Sequence, residues 1–445
     1  MDKKLAVIVM AGGLGTRMNS ATPKHLHPVL GRRLIDWVIE SLDLLNADVI
    51  ALVSSPAAYE ELKAGVGESV AVIVQKNPGG TGDAVAAARP LIPPDIDDIV
   101  VVPGDTPLLT GVPLVDLVEA HRANSACATV LSFIPPDPAE YGRILRDNEG
   151  RLARIVEAVD ATPEELGISE VNSSIYVFSS ETLWKSLGLI VKNDVQNEQY
   201  LTDVMEILVE SDNRVNVVCA EDWSLFVGVN TRADLAEATT CLRDRILNEH
   251  MLKGVTVVDP GSTWVDAGVV IEQDVTIHPF TVLRGACLIK SGAEVGPHVV
   301  AVDARIGSNA VVGPFTYLRS NSDLGENTRA GSFVEIKNAR LDFGAKVPHL
   351  SYIGDAEIGE GTNIGAGAIT ANYRAERYST KQRTTIGRNV HTGSHNVFVP
   401  PVRIGDNAWT AAGSTITEDV PSGALAIARA RQVNKERYGE RQKRG

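Results

Sequence analysis

Residues 265–295 read VDAGVVIEQDVTIHPFTVLRGACLIKSGAEV, and an aliphatic residue returns in this stretch at every sixth position. The same step continues from Ile306 to Ile336 and, with Thr and Phe among its members, from Ile386 to Ile416. A six-residue step matches neither the period of a helix nor that of a flat strand. It predicts one short strand and one tight corner per repeat, with the aliphatic side chains stacked inward.

Three such repeats would close one triangular coil, and glycines would serve corners that need unusual backbone angles. The phase slips by one residue between Ile336 and Leu341 and between Ile353 and Ile358, which uneven corners would allow. The alternative is a glycine-rich set of ordinary β-hairpins, which the many consecutive in-phase positions disfavour. We therefore predict a parallel β-helix of hexapeptide repeats in the second half of the chain.

The bulk composition is that of a globular protein, with 445 residues, 44% hydrophobic and 22% charged, enough for two or three domains. A net charge of −14 argues against a general nucleic-acid binder, because phosphate backbones need a basic surface. The four cysteines form no CxxC pair, so neither zinc nor a disulfide framework is indicated. No signal peptide and no membrane-spanning stretch is evident, and we expect a cytoplasmic protein without a membrane partner.

The first third of the chain alternates strand-like and helix-like segments. This pattern predicts an α/β domain with a parallel sheet covered on both faces, and ligands at the carboxyl ends of its strands. The predicted strands are Leu5–Met10, Val49–Val53, Val70–Val74 and Ile99–Val102, and the predicted helices are Leu34–Leu45, Asp83–Arg89 and Pro113–Arg122.

The loop after the first predicted strand holds Gly12, Gly13 and Gly15, followed by Arg17 and Lys24. Glycines let backbone N–H groups approach a phosphate, and the two cations supply charge. The loop lacks the ending of a P-loop and the third glycine of a dinucleotide-binding fingerprint, and alone it would also suit an ordinary turn.

Asp105 follows the fourth predicted strand, in Pro103-Gly104-Asp105. Alone it would suit a turn cap, but beside a phosphate-binding loop we interpret it as an oxygen ligand for Mg²⁺.

Together these residues resemble the sugar-1-phosphate nucleotidyltransferase superfamily. Further motifs are similar to the family of bacterial bifunctional N-acetylglucosamine-1-phosphate uridylyltransferases/glucosamine-1-phosphate N-acetyltransferases, and the resemblance continues through the hexapeptide region. Those motifs are Gln75 with Gly80-Thr81-Gly82, Tyr141-Gly142-Arg143-Ile144, Ile155-Val156-Glu157, Val171-Asn172, Tyr200 to Asp203, and Gly228-Val229-Asn230.

The resemblance implies that the N-terminal domain has a Rossmann-like nucleotidyltransferase fold. In this reaction a sugar phosphate oxygen attacks the α-phosphorus of UTP, which needs positioning and charge neutralisation more than an acid or base. It assigns Mg²⁺ to Asp105 and Asn230 and implies catalytic roles for Arg17 and Lys24. The residues implied for UTP and the sugar are Ala11, Gly12, Gly13, Lys24, Gln75, Gly80, Thr81, Gly104, Asp105, Gly142, Glu157, Asn172 and Asn230.

Polar residues that neither core nor corners explain lie among the repeats. Arg319 and Lys337 are three repeats apart, so both could bind a sugar phosphate from nearby coils. His349 could accept a proton from an amine that attacks a thioester, since imidazole suits proton transfer near neutral pH. A single histidine in a repeat protein is more often structural, and the residues alone leave that alternative open.

The resemblance assigns His349 as the base and implies a left-handed coil that packs as a homotrimer. It places glucosamine-1-phosphate at Arg319, Lys337, Tyr352 and Asn363. It places acetyl-CoA at Ala366, Asn372, Tyr373, Ser394, Ala412 and Arg429.

The predicted organisation has four parts: a nucleotidyltransferase domain (1–230), a helical linker arm (231–253), a left-handed β-helix acetyltransferase domain (254–428) and a basic tail (429–445). The sequence departs from the family pattern at Leu14, at Ser174 (usually Gly), at Arg374-Ala375 and at His395. Leu14 and Ser174 keep open a nucleotidyltransferase for another sugar with an altered or inactive acyltransferase domain, and a catalytically silent scaffold is a separate alternative. Retention of Lys24, Asp105, Asn230 and His349 speaks against the scaffold.

Overall fold

A computed structural model describes residues 3–13, 15–76, 79–138, 140–190, 199–373 and 381–442. The chain divides into two compact units, Met1–Leu242 and Arg243–Gly445. The dividing point falls inside a helix of 21 residues, Arg232–Leu252. Leu14 and Arg374-Ala375, where the sequence departs from the family pattern, lie outside the described residues.

The first unit contains a sheet that has nine strands in the described residues. Its strands are β1 (Leu5–Ala11), β4 (Val49–Ser54), β5 (Val70–Val74), β6 (Asp98–Pro103), β7 (Ala128–Phe133), β8 (Arg143–Arg146), β9 (Leu152–Val156), β10 (Val171–Ser179) and β11 (Val215–Cys219), and a separate short hairpin is formed by β2 (Pro28–Val29) and β3 (Arg32–Arg33). The order is β11-β7-β10-β6-β1-β4-β5, with β8 and β9 attached at β10. Strand β1 runs parallel to β4 and β6, which confirms the predicted parallel sheet, whereas β10 is antiparallel to β6 and β7.

Helices cover both faces of this sheet, as predicted. They are α1 (Leu34–Ser41), α2 (Tyr59–Gly65), α3 (Thr81–Ala88), α4 (Gly111–Ala123), α5 (Pro163–Leu166), α6 (Ser180–Leu187) and α7 (Thr202–Glu210). Alternate side chains of β1 enter opposite cores: Val7 and Val9 pack with α1 and α4, and Ala6 and Ile8 pack with α3, α6 and α7. Burial on both faces explains why β1 is a continuous apolar run. The helix predicted over Leu34–Leu45 ends at Ser41 and is followed by a turn of 3-10 helix.

The second unit is a three-sided coil of parallel strands. The first side contains β12 (Thr256–Val257), β15 (Thr276–Ile277), β18 (Glu294–Val295), β21 (Val311–Val312), β24 (Arg329–Ser332), β27 (Lys346–His349), β32 (His391–Thr392), β35 (Trp409–Thr410) and β37 (Leu425–Ala426), with Asn363 bridging β27 and β32. The second contains β13 (Trp264–Val265), β16 (Val282–Arg284), β19 (Val300–Val302), β22 (Tyr317–Leu318), β25 (Glu335–Lys337), β28 (Tyr352–Gly354), β30 (Ile369–Thr370), β33 (Val397–Phe398) and β36 (Thr415–Ile416). The third contains β14 (Val270–Ile271), β17 (Leu288–Ile289), β20 (Arg305–Ile306), β23 (Asp323–Leu324), β26 (Arg340–Leu341), β29 (Ala356–Ile358), β31 (Thr384–Ile386) and β34 (Val402–Ile404).

The register confirms the predicted six-residue step. Val265 pairs with Leu283, three repeats along the chain, and both side chains are buried inside the coil. The two predicted phase slips are present, and a third that the sequence analysis missed lies between Ala301 and Ile306. All three slips fall at the corner between the second and third sides.

Asp303, Asn338 and Asp355 occupy this corner in the three short turns, with φ of 46°, 45° and 48°. Asn and Asp tolerate the left-handed region better than other side chains with a Cβ.

Helix α8 (Arg232–Leu252) confirms the helix predicted over the linker. Its first turn is capped, because the Asp234 carboxylate accepts from the N–H groups of Asn230 and Thr231, both at 2.8 Å. The predicted apolar face is buried at Ala238 and Leu242. No helix in the described part of the chain has the length and apolar character needed to cross a membrane.

Candidate active sites

A cavity of about 570 Å³ opens at the carboxyl ends of β1 and β6. Of the predicted UTP and sugar residues, eight line it: Gly12, Gly13, Lys24, Gln75, Gly80, Thr81, Asp105 and Asn230. Other lining residues were not predicted from the sequence, among them Thr16, His25, Thr106, Ser173 and Phe226. The cavity lies where ligands bind parallel α/β sheets.

Gly12 makes close packing around Gln75 possible. A Cβ at Gly12 would lie 2.1 Å from Oε1 of Gln75, so no other residue fits without moving that amide. The Gln75 amide nitrogen donates to Asp83 Oδ2 at 2.7 Å and to the Gly80 carbonyl at 3.3 Å, which fixes its orientation. An oriented amide at the cavity wall can read the edge of a nucleobase by hydrogen bonding.

Lys24 is the charged centre of the cavity. Its ammonium group donates to Asp105 Oδ2 and, at 3.1 Å, to Asn230 Oδ1. Burial opposes ionisation of the Asp105 carboxyl group, but the charge and hydrogen bond of Lys24 outweigh it, so the pKa of Asp105 lies below its usual value. The carboxylate is therefore charged at neutral pH, and Asp105 and Asn230 hold a cation between them.

The same two oxygens suit a divalent cation. Among the described residues, no group of three or more His, Cys, Asp or Glu side chains is arranged to hold a metal. Mg²⁺ does not need one, because it keeps waters and binds through one or two protein oxygens together with substrate phosphates. Asp105 and Asn230 fit that requirement.

His25 is a buried lining residue without a predicted role. Burial lowers its pKa to about 4, with Asp105 acting in the opposite direction and Lys24 in the same one. The imidazole is therefore neutral at pH 7. Tyr141 belongs to a quoted motif, and its hydroxyl accepts from the Gly228 N–H at 3.4 Å.

Gly142, Glu157 and Asn172 form a group of their own where β8, β9 and β10 meet. A Cβ at Gly142 would lie 3.3 Å from a Glu157 carboxylate oxygen, and Asn172 donates its N–H to the Gly142 carbonyl at 2.8 Å. Burial raises the pKa of Glu157. The group joins the cavity through Ser173 and Ser174, which follow Asn172 and line the wall.

Besides Gly142, Glu157 and Asn172, three further predicted residues of the first site do not line the cavity in the structure. Ala11 and Gly104 are buried at the ends of β1 and β6, where Gly104 donates its N–H to the Met10 carbonyl at 2.9 Å. Arg17 is exposed, and its guanidinium pairs with Glu140. Gly12 and Gly13, which line the cavity together with Lys24, are therefore better placed to contact a ligand than Arg17 is.

In the second unit, Arg319 and Lys337 lie side by side on adjacent coils, because Leu318 pairs with Ile336 in the register of β22 and β25. Lys381, which was not predicted from the sequence, lies close enough to Lys337 to act on its ammonium group. Contact with Lys381 and the charge of Arg319 lower the pKa of Lys337. Three neighbouring cations form a suitable site for a phosphate group.

His349 stands at the head of a row of predicted acetyl-CoA residues along one corner. Successive coils connect through backbone hydrogen bonds: Gly367 to the His349 carbonyl, His395 to the Ala366 carbonyl at 2.7 Å, and Gly413 to the Ser394 carbonyl at 2.8 Å. Ala412 continues the row one coil further on. His349, Ser394 and Ala412 are exposed.

The remaining predicted residues lie near this row or beside it. Tyr352 and Asn372 are joined by a hydrogen bond of 3.4 Å from the Asn372 amide to the Tyr352 hydroxyl. Asn363 bridges β27 and β32, and Tyr373 is 71% exposed. The exposed Arg429 passes Gly413, where a Cβ would lie 3.9 Å from its Cδ.

The α/β unit with its glycine-lined, lysine-centred cavity, followed by a coil of hexapeptide repeats, defines a nucleotidyltransferase joined to a parallel β-helix. The family model described as "Nucleotidyl transferase" matches residues 6–271. Three relatives, each named "Bifunctional protein GlmU", align over 99% of this chain: that of Streptomyces coelicolor (44% identical, 95% of its length), that of Mycobacterium tuberculosis (42%, 93%) and that of Brevibacillus brevis (40%, 98%). The chain belongs to the bifunctional GlmU family, and its coil is the left-handed parallel β-helix expected from the sequence.

Proposed function

We propose that this protein makes UDP-N-acetylglucosamine in two steps: acetyl transfer from acetyl-CoA to glucosamine-1-phosphate in the second unit, then uridylyl transfer from UTP in the first. The observation that carries the proposal is the triad of Lys24, Asp105 and Asn230 inside a glycine-lined cavity. The relatives reported above align with 99% of the chain that contains this triad.

In the uridylyl step a phosphate oxygen of N-acetylglucosamine-1-phosphate attacks the α-phosphorus of UTP. A P–O bond to the sugar phosphate forms, the bond to the β-phosphate breaks, and pyrophosphate leaves. The Lys24 ammonium moves from Asp105 toward the phosphates, where charge develops, while Gln75 orients the uracil. A Mg²⁺ ion held by Asp105 and Asn230 would supply further charge neutralisation.

In the acetyl step the amine of glucosamine-1-phosphate attacks the thioester carbon of acetyl-CoA. His349 accepts the amine proton as the C–N bond forms; the C–S bond then breaks, and the departing thiolate takes up that proton from His349 and leaves as the CoA thiol. Arg319, Lys337 and Lys381 hold the phosphate of the sugar. The corner row of Ala366, Ser394 and Ala412 provides backbone groups along the acetyl-CoA site.

The assembly is proposed to be a homotrimer in the cytoplasm, with the four-part organisation given above. An exposed catalytic histidine supports assembly, because a neighbouring subunit would enclose His349 and exclude water from the thioester. Sedimentation equilibrium of the full chain tests this directly, and a monomer at micromolar concentration would contradict it.

The decisive experiment assays the two half-reactions separately with purified protein. One tube contains N-acetylglucosamine-1-phosphate, UTP and Mg²⁺, and pyrophosphate release is measured; the other contains glucosamine-1-phosphate and acetyl-CoA, and thiol release is measured. Both products are expected. Pyrophosphate without thiol would remove the acetyltransferase claim and leave a nucleotidyltransferase with a silent second unit, the alternative that His395 and Ser174 keep open.

A further inference from the structure

A buried carboxylate lies next to the proposed acetyl-transfer residues without having been assigned a role. Asp355 follows β28 at the short corner of the coil, with φ of 48° and only 5% of its surface exposed. Its N–H donates to the Lys337 carbonyl at 3.0 Å. A buried charge is tolerated only where hydrogen bonds replace its hydration, so the partners of this carboxylate indicate what it does.

Both carboxylate oxygens accept from side-chain amides. The Nδ2 group of Asn338 donates to Oδ1, and the Nδ2 group of Asn372 donates to Oδ2. Because a carboxylate can only accept, it selects the amide orientation that turns Nδ2 toward itself. The orientation of Asn372 is therefore fixed by Asp355.

The second proton of the Asn372 amide is directed to the Tyr352 hydroxyl at 3.4 Å. A Cβ at Gly354 would lie 2.4 Å from this hydroxyl and 2.7 Å from Asn372 Nδ2, so the glycine leaves room for the contact. In the described part of the chain, no group donates to Oδ1 of Asn372. That oxygen faces away from Asp355 and can accept an N–H, while the Tyr352 hydroxyl, which already accepts, directs its own proton elsewhere.

We propose that Asp355 is a positioning residue for acetyl transfer, which fixes the Asn372 amide and, through it, the Tyr352 hydroxyl for contact with the sugar phosphate and the thioester. This inference rests on the acetyltransferase activity proposed above. Misplacement of such groups by a fraction of an ångström lowers the rate without removing the phosphate-binding cations.

Asp355→Asn tests the proposal, because it keeps the shape of the side chain and replaces one acceptor by a donor. Thiol release is expected to fall by roughly 10- to 100-fold in kcat, with KM for glucosamine-1-phosphate changed by less than about threefold, since Arg319, Lys337 and Lys381 are untouched. Pyrophosphate release should be unchanged. A merely structural role would lower thermal stability without confining the loss to kcat.

Asp303→Asn is the matched control. Asp303 occupies the same corner three coils earlier with φ of 46°, but its carboxylate accepts from the Ala286 N–H at 3.0 Å and the Ser320 hydroxyl at 3.2 Å. Thiol release in this variant should stay within about twofold of the wild type.

A double-mutant cycle with Asn372→Ala separates positioning from packing. If Asp355 acts through Asn372, Asp355→Asn has little further effect on thiol release once Asn372 is truncated; independent losses that multiply would overturn the proposal. Circular dichroism establishes that each variant is folded, and Asp355→Glu, which shifts the acceptor by one methylene, takes the same place in the cycle if Asp355→Asn is not folded.

Two results distinguish a failure of the proposed positioning role from a failure of the proposed acetyltransferase activity. A wild-type protein that releases no thiol would remove the acetyltransferase activity and this role with it. An active wild type whose Asp355→Asn variant loses no more activity than Asp303→Asn would overturn the positioning role alone.

Discussion

The two candidate sites differ in how much of each the described chain completes by itself. Lys24 is buried, with 9% of its surface exposed, and its ammonium group is hydrogen-bonded to both Asp105 and Asn230. His349 is exposed, and the described residues offer its imidazole no hydrogen-bond partner. The first site is a cavity whose charge is neutralised by its own residues, whereas the second is a row of side chains on the outside of a rigid coil.

This difference follows from the folds. A sheet whose strands end together places several loops around one point, so that loops after β1, β5 and β6 form a cavity. A coil of stacked repeats has its side chains either packed inside or pointing out, and His349 lies on the outside. Chemistry on a coil therefore depends on whatever covers the coil, which is why we connect His349 with a neighbouring subunit.

The largest effect that would test whether the two sites act independently is expected at Asp105. Asp105→Asn keeps the side-chain shape but removes the charge shared with Lys24 and the proposed metal. Pyrophosphate release is expected to fall about 10³-fold, which corresponds to about 4 kcal/mol of lost transition-state stabilisation. Thiol release serves as the internal control and should not change; a parallel loss of both activities would show that the sites are not independent.

The converse variant, His349→Gln, tests the exposed site. Loss of the proton acceptor should lower thiol release by roughly 10²- to 10³-fold and leave pyrophosphate release unchanged. His298→Gln is a suitable control, because His298 belongs to the same β-helix, stacks on the Phe280 ring at a centroid distance of 4.7 Å, and has no proposed role. Equal losses in the two variants would reduce His349 to a structural residue.

Sequence periodicity predicted the coil in detail because each six-residue step has a local cause, an inward aliphatic side chain and a corner. The same local reasoning did not find the third phase slip, after Ala301. Aliphatic residues precede and follow Ala301, so the sequence does not show which of them points inward. The glycine loop and Asp105 were predicted to meet because parallel strands end at one edge. Lys381, Asp355 and His25 were not, since their roles depend on contacts between distant positions that no motif encodes.

A difference between the units is also expected in their response to acid. The pKa of His25 is lowered to about 4 by burial, so the unfolded chain, in which histidine titrates near 6.5, binds the proton more readily. Stability of the first unit should therefore fall as the pH drops from 6.5 to 4, by up to about 3 kcal/mol from this residue. The Asp105 carboxyl, with its lowered pKa, loses its contribution only at lower pH.

His25→Gln should make the first unfolding transition less dependent on pH in this window. Urea unfolding at pH 7 and pH 4.5, followed by a probe in the first unit, measures the change. His298→Gln in the second unit provides the comparison and should leave that dependence as in the wild type. An unaltered slope in His25→Gln would mean that the imidazole is hydrated in solution.

The smallest effect, and the one that bears on the sugar, is expected at Ser174. Ser174 lines the cavity at a φ of 61°, in the irregular part of β10 between Asn172 and Tyr176, and its N–H donates to Asn172 Oδ1 at 3.0 Å. This left-handed geometry favours glycine, the residue usual in the family at this position, and costs a residue with a Cβ roughly 1–2 kcal/mol. The serine therefore imposes both strain and bulk on the cavity wall.

Ser174→Gly relieves the strain but gives the unfolded chain more freedom, so the net gain should be about 0.5 kcal/mol, or about 1–2 °C in the melting temperature of the first unit. KM for N-acetylglucosamine-1-phosphate should fall several-fold, while KM for UTP stays constant, because only the wall beside Asn172 recedes. Ser174→Ala keeps the Cβ and the strained backbone but loses the hydroxyl, and it should behave as the wild type does. If Ser174→Ala instead matched Ser174→Gly, the hydroxyl rather than the Cβ would be the group that crowds the sugar.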